Sequence, residues 1–179
     1  MPFVYYGDEL GMEDVQMPAD AVIDPWGKNM PGFGVGRDPE RTPMQWNSNP
    51  NAGFSDGAPW LPVAHDYKEK NVENESQNPS SMLSFYKELI HHRTKSPALL
   101  TGVYKSMESG SEYVLVFGRE CVSEKLLIAI NFSDSEQTTT LSVDGTLLCN
   151  THRGKCGGEK IQTPRLKLNA YEGLMVRLN

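Results

Sequence analysis

The spacing of apolar positions changes along this chain. From residue 100 onward apolar and polar residues alternate, the period of a half-buried strand, over 101–107, 112–119, 125–132, 137–143, 146–150, 165–169 and 173–178. Ser109-Gly110, Asp144-Gly145 and Gly157-Gly158 supply turn signals among them, and Asp-Gly is a strong hairpin signal. Short strands at this spacing, with no helix between them, predict an antiparallel sandwich or barrel. Over 79–95 the period is helical instead. Met82, Phe85, Tyr86, Leu89 and Ile90 fall on one face. Asn78 is placed to cap this helix, with Pro79 at its first position, where a missing N–H costs nothing. His91, His92, Arg93 and Lys95 crowd the last turn, where cations suit the helix dipole, and Pro97 ends it.

The first 80 positions keep neither period. Pro2-Phe3-Val4-Tyr5-Tyr6, closed by Gly7, predicts a buried strand. Roughly 70 residues of loop-like composition follow it. Loops beyond about 12–15 residues are uncommon in compact domains unless they are functional. A strand so placed has no neighbour in sequence to pair with. Its partners are therefore expected outside these 179 residues.

Charge sharpens the division. The chain carries 23 acids and 17 bases, a net of −6. Residues 1–79 hold 13 acids and 5 bases, while residues 80–179 hold 10 and 12. The first part also holds 10 of the 12 prolines and all three tryptophans, Trp26, Trp46 and Trp60. Proline fixes φ and removes a ladder donor, so regular structure there must be short. No basic stripe is present to track phosphates, so nucleic acid is not an expected partner. The longest aliphatic run, Leu126 to Ile130, is five residues, against about 20 for a membrane helix. No basic segment followed by an apolar run opens the chain, so no signal peptide is expected. Three cysteines make no disulfide framework and favour a reducing, cytoplasmic setting.

Several residue groups could carry chemistry, and each has a plainer reading. Asp8 and Glu9 follow the first predicted strand, but neighbours on a strand point to opposite sides. Gly32-Phe33-Gly34-Val35-Gly36 lacks the spacing of a phosphate loop and predicts a flexible loop. His65-Asp66 is an acid–base dyad by composition and a solvated loop by context. Cys149, His152 and Cys156 give three metal ligands without a fourth, at a spacing that matches no zinc ribbon, so no metal is expected. Free thiols, or a Cys149–Cys156 bridge in a secreted chain, account for them equally. Asn74-Glu75-Ser76 and Asn131-Phe132-Ser133 are glycosylation sequons, relevant only in a secreted eukaryotic protein. Arg37 and Arg41 offer planar, permanently charged donors suited to a carboxylate or to sugar hydroxyls. An ion-pair cluster with Asp38 and Glu40 explains them as well as a ligand site does.

Longer stretches are more specific. Pro2 to Met12, in the run Pro-Phe-Val-Tyr-Tyr-Gly-Asp-Glu-Leu-Gly-Met, resembles the eighth barrel strand of the α-amylase superfamily. Gly36-Arg37-Asp38-Pro39-Glu40-Arg41-Thr42-Pro43-Met44-Gln45-Trp46 resembles the α-glucosidase and oligo-1,6-glucosidase branch. So do Asn51-Ala52-Gly53-Phe54-Ser55, Pro59-Trp60-Leu61-Pro62-Val63, Tyr67-Lys68-Glu69 and Asn71-Val72. The resemblance implies an α+β chain: the last strand, a long loop and the last helix of a (β/α)₈ barrel over 1–97, then an antiparallel β-sandwich domain over 98–179. It implies a C-terminal portion of a retaining α-glucosidase acting on oligosaccharides. It implies no cofactor and no metal. The family's catalytic Asp, Glu and Asp lie on earlier strands, so no catalytic residue is expected here. Arg37 matches the family's loop arginine, which contacts the non-reducing glucose of the substrate. Asp38, Arg41 and Gln45 match positions expected to hold that loop in shape. The heavy chains of heteromeric amino-acid transporters resemble the same family without hydrolysing sugars, and a glucosidase-like ectodomain of that kind is the alternative.

Overall fold

The structure, a computed structural model, describes residues 3–152 and 155–179, with Lys155 and Cys156 described by their backbone alone. It divides into two units, Met1–Leu83 and Ser84–Asn179.

The first unit is built from turns and very short helices. Three-residue 3₁₀ turns form at Asp8–Leu10 and Pro39–Arg41, and a further turn covers Pro50–Gly53, with Asn51 and Ala52 left-handed at φ 55° and 58°. Helix α1, Pro25–Asn29, follows the cap Asp24, and helix α2, Val72–Gln77, follows the cap Asn71. The Asn71 side chain accepts from the Asn74 backbone N–H at 2.9 Å, filling one of the donors that a helix start leaves open. The apolar core here is small: Leu10, Met44 and Leu83, with Met12 and Val72 against them. Asp24, Asp38, Thr42, Gln45 and Asn71 are buried as well. Buried polar groups are costly unless hydrogen-bonded, and Asp24, Asp38, Gln45 and Asn71 each bond to backbone groups of this unit.

The strand expected over 2–6 does not form over its described residues, 3–6. Phe3, Val4, Tyr5 and Tyr6 are exposed, and no described strand pairs with them. A strand is stable only in a ladder, and without a partner the backbone turns instead. Asp8 N–H donates to the Tyr5 carbonyl at 3.1 Å, and the Asp8 carboxylate accepts from Tyr5 N–H at 2.9 Å. Gly7 completes this turn at φ 96°, a left-handed conformation that glycine adopts without strain.

The second unit is antiparallel β with two helical segments. Its strands are β1 Val103–Met107, β2 Val114–Glu120, β3 Lys125–Asn131, β4 Gln137–Thr138, β5 Val143–Asn150, β6 Lys155–Cys156, β7 Lys160–Thr163, β8 Lys167–Leu168 and β9 Gly173–Leu178. Seven of them form one sheet in the order β1-β2-β3-β9-β5-β6, with β7 also on β5, and β4 pairs with β8 in a second, two-stranded sheet. The expected sandwich is therefore lopsided, its second layer reduced to one short pair.

Helix α3, Met82–Lys95, and helix α4, Pro97–Thr101, precede the strands. α3 starts three residues later than the capping signal predicts. Asn78 spends its side chain on a local turn to Ser80 N–H at 2.9 Å, and the Glu75 carboxylate accepts from Leu83 N–H at 3.0 Å. The expected apolar face is only partly used. Phe85 and Leu89 pack inward, while Met82 and Ile90 are about half exposed. The strand expected over 101–107 starts at Val103, because Thr101 ends helix α4, which Ser96 caps at Leu99 N–H at 3.1 Å.

β3 and β9 lie mid-sheet and are buried on both faces. Leu127 and Ala129 join Val116, Val176 and Leu168 in the larger core, while Leu126 and Ile128 face Phe85, Leu89 and Ala98. That explains why the run Leu126 to Ile130 is apolar without alternation. On β5 the alternation is broken by a bulge between Leu147 and Cys149. Leu147 points into one core, and Leu148 and Cys149 both point into the other.

Asp144-Gly145 is not a turn. It lies inside β5, opposite Gln162 and Ile161 of β7. A Cβ on Gly145 would lie 2.2 Å from the Arg177 carbonyl oxygen and 2.8 Å from a Val176 methyl carbon. The glycine is there for close approach of the neighbouring strand, not for a hairpin.

Candidate functional site

The polar scaffold of the first unit converges on Arg37. Asp24 stands at its centre. One carboxylate oxygen caps α1 through Trp26 N–H at 3.1 Å. The other accepts from Arg37 twice, from the backbone N–H at 2.9 Å and from side-chain Nε at 3.0 Å. The side chain of Asp24 is 2% exposed and that of Arg37 is 54% exposed. These bonds from Arg37, and the cap bond from Trp26, hold the Asp24 carboxyl down at about 2, against an ordinary value of 3.8. Asp38 ties the same two segments in the opposite sense, accepting from Ile23 N–H at 2.6 Å and Asp24 N–H at 2.8 Å. Two carboxylates thus cross-link residues 23–26 to 37–38.

Glycines let these segments meet. A Cβ on Gly36 would lie 3.2 Å from Gly27 Cα, and one on Gly27 would lie 2.9 Å from a Val22 methyl carbon. The glycine run therefore ends in a packing residue, and Gly32 and Gly34 take left-handed turns at φ 83° and 66°. No helix follows to make a phosphate cradle. A cavity of about 740 Å³ opens beside the run, lined in part by Met17, Val22, Lys28, Met30 and Val35. A second, of about 340 Å³, lies between Tyr6, Arg41, Trp46, Phe54 and Trp60.

The sequence-level candidates separate cleanly. Arg37 is tied to Asp24, thirteen positions away, and not to Asp38 or Glu40 as the local charge pattern predicts. Asp38 and Gln45 do brace the loop. Gln45, fully buried, donates its amide to Asp66 at 3.2 Å and to the Lys70 carbonyl. Its own carbonyl oxygen meets no donor among the described residues. Arg41 lines the smaller cavity, and its backbone N–H closes a turn to the Asp38 carbonyl at 3.1 Å.

The other clusters are dispersed. Asp8 and Glu9 accept from the backbone N–H groups of Tyr5 and Gly7 and face separate turns. His65 is exposed, while Asp66 is held by Gln45 and by the Lys70 ammonium at 3.2 Å, so the pair forms no dyad. Cys149 is disulfide-bonded, Cys121 is free, and His152 contacts the Ala170 carbonyl at 2.7 Å. The Cys156 side chain lies outside the described residues. No group of three metal-ligating side chains occurs among the described residues. The bonded Cys149 also departs from the reducing setting that the cysteine count favours. None of the described helices is long and apolar enough to cross a membrane.

Sequence reasoning missed Asp24, and took Asn71 only as part of a motif without its capping role. Both carry a legible signal, a capping residue directly before a short helix, with proline at the first position after Asp24. Nothing local signals that Asp24 also receives the Arg37 guanidinium.

The family model for the alpha amylase catalytic domain matches residues 1–102. The chain belongs to the alpha-amylase family. Among curated relatives it is 32% identical to oligo-1,6-glucosidase of Parageobacillus thermoglucosidasius, over 74% of this chain and 27% of that protein. It is 34% identical to maltase 1 of Drosophila virilis, over 97% of this chain and 29% of that protein. Among solved structures, trehalulose synthase from Pseudomonas mesoacidophila superposes with a TM-score of 0.84 at 28% identity, over 99% of this chain and 35% of that one. Isomaltulose synthase from a Klebsiella species gives 0.82 at 26%, over 99% and 35%. The chain thus spans less than a third of the length of these two curated relatives.

Proposed function

We propose that this chain is the C-terminal part of a retaining α-glucosidase and that Arg37 binds the terminal α-linked glucose of its oligosaccharide substrate. In this reading residues 1–97 complete a (β/α)₈ barrel with its last strand, a long loop and its last helix, and residues 98–179 form the domain that follows it. The names oligo-1,6-glucosidase and maltase among the relatives support the substrate class.

One observation carries the role of Arg37. Its Nε and backbone N–H are fixed by a buried carboxylate, while its side chain stays half exposed. Among the described residues its two terminal amino groups carry no hydrogen bond, and its only ion pair runs through Nε to Asp24. A guanidinium held at Nε presents those two groups as a preset fork, suited to neighbouring sugar hydroxyls. Fixing it beforehand lowers the entropy that binding would otherwise cost.

Cleavage itself is assigned elsewhere. Retention needs two carboxyl groups about 5–5.5 Å apart across the scissile bond, one nucleophile and one acid. In this chain Asp8 and Glu9 accept from backbone N–H groups, Asp24 and Asp38 lock the loop, and Asp66 holds Lys70 and Gln45. These carboxylates are committed to structure. The purified chain is therefore expected to hydrolyse an aryl α-glucoside no faster than buffer. Hydrolysis that disappears on replacing Asp8 or Glu9 would overturn the proposal.

A further inference from the structure

The sequence holds two N-x-Ser sequons, at Asn74 and Asn131, and the structure gives them opposite surroundings. We infer that Asn74 is an N-glycan acceptor and that Asn131 is not.

Glycan transfer joins Asn Nδ2 to the anomeric carbon of a lipid-pyrophosphate-linked oligosaccharide. The N–C bond forms, the bond from that carbon to the pyrophosphate oxygen breaks, and the lipid pyrophosphate leaves with the electron pair. Nδ2 gives up one proton and keeps one N–H. A modified asparagine can therefore still donate one hydrogen bond, and its Nδ2 must open onto solvent.

Asn74 can turn its Nδ2 to solvent. It is exposed on α2, next to the exposed Ser76. Its Nδ2 donates to the Glu69 carbonyl at 3.1 Å and the Lys68 carbonyl at 3.0 Å. The glycosyl carbon takes the place of one of these hydrogens, so the exposed side chain turns outward and gives up both bonds. The Lys68 carbonyl is not orphaned, because Ser48 Oγ donates to it at 3.1 Å and Asn71 Nδ2 lies at 3.4 Å, and the Glu69 carbonyl belongs to an exposed residue that water reaches. The helix cap uses the backbone N–H of Asn74, not its side chain, and survives modification.

Asn131 cannot. It is 1% exposed at the end of β3. Its Nδ2 donates at 2.8 Å to both the Ser135 and the Asn169 carbonyls. Its Oδ1 accepts from Ser133 N–H at 2.9 Å and from Ser133 Oγ at 2.8 Å, so the sequon serine is itself part of the turn. A sugar on Nδ2 has no space in this fold, and a chain carrying one cannot close the turn.

A separate observation points to the compartment where this chemistry occurs. Cys149, 3% exposed within the sheet, is disulfide-bonded. Disulfides persist in secretory and extracellular settings, where glycan transfer also takes place.

The test is intact-mass and peptide mapping of the full chain, expressed behind a secretion signal in a eukaryotic host and purified as the folded, disulfide-bonded pool. Wild type is expected to carry one glycan, removed by peptide-N-glycosidase, with the released site mapping to Asn74. Asn74→Gln and Ser76→Ala should each lose the whole glycan mass, and Asn131→Gln should lose none. Mapping on the wild-type peptide needs no variant to fold. A folded pool with no glycan, or with one at Asn131, would overturn the inference.

Discussion

The two units of this chain are ordered by different forces. Ser84–Asn179 buries a sheet on both faces, with ten buried residues in its larger core and five in the smaller. Met1–Leu83 has three buried residues in its apolar core and is held instead by side chains that accept from or donate to distant backbone. Burial of apolar area is non-directional and tolerates small shifts. A polar network is directional, and each partner lost leaves another buried and unmatched. The difference suits the proposed roles, because a ligand-facing guanidinium needs a direction more than it needs a core.

Backbone crowding breaks the sheet most severely. Gly145→Val would drive Cβ into the Arg177 carbonyl, and neither strand backbone can give way. A loss of about 3 kcal/mol or more is expected, at the top of the overpacking range, read as a fall in the denaturant midpoint. Gly27→Ala, in the first unit, crowds a Val22 methyl group, which can rotate aside, and meets the Gly36 backbone only at an ordinary 3.5 Å contact. It should cost far less, and equal costs would erase this part of the contrast.

The polar scaffold should break at Asn71. Asn71→Ala removes the cap of α2 and the bond from Nδ2 to the Tyr67 carbonyl at 2.8 Å. The expected loss is about 1–3 kcal/mol. Faster amide exchange over residues 67–77, with β3 and β9 still protected, is the accompanying signature.

These contrasts also explain what the sequence discloses. The core strands β2, β3 and β9, and the body of α3, were legible because their signals are local: period, capping and breakers. Phe3–Tyr6 and Asp144-Gly145 misled because a strand needs a partner and a glycine has two uses, tight turning and close approach. Composition does not separate those uses. At the candidate site the motif around Arg37 was legible, and so was the bracing by Asp38 and Gln45. The Asp24–Arg37 tie was not, since its partners are brought together by folding, while Asp38 and Glu40 stand closer in sequence and look equally suitable.

Acid gives a gentler probe of the same scaffold. The Asp24 carboxyl titrates at about 2 in the folded chain, below its ordinary 3.8. A depressed carboxyl stabilises the fold fully above its unfolded value, and that contribution is lost as pH falls through 3.8 toward 2. Protease sensitivity within residues 24–37 is expected to rise over that window and to stay flat between pH 5 and 7. Asp24→Asn should show the raised sensitivity already at pH 7.

The most direct test of the account is kcat/KM for an α-glucoside, measured with the melting temperature, in an active enzyme where this chain completes the barrel. A charged donor to a neutral hydroxyl contributes about 1.5–3 kcal/mol. Arg37→Ala is therefore expected to lower kcat/KM roughly ten- to a hundredfold, with Arg37→Lys recovering little because it lacks the planar fork. An unchanged kcat/KM with a clearly lowered melting temperature would contradict the account and leave Arg37 as a brace for the loop.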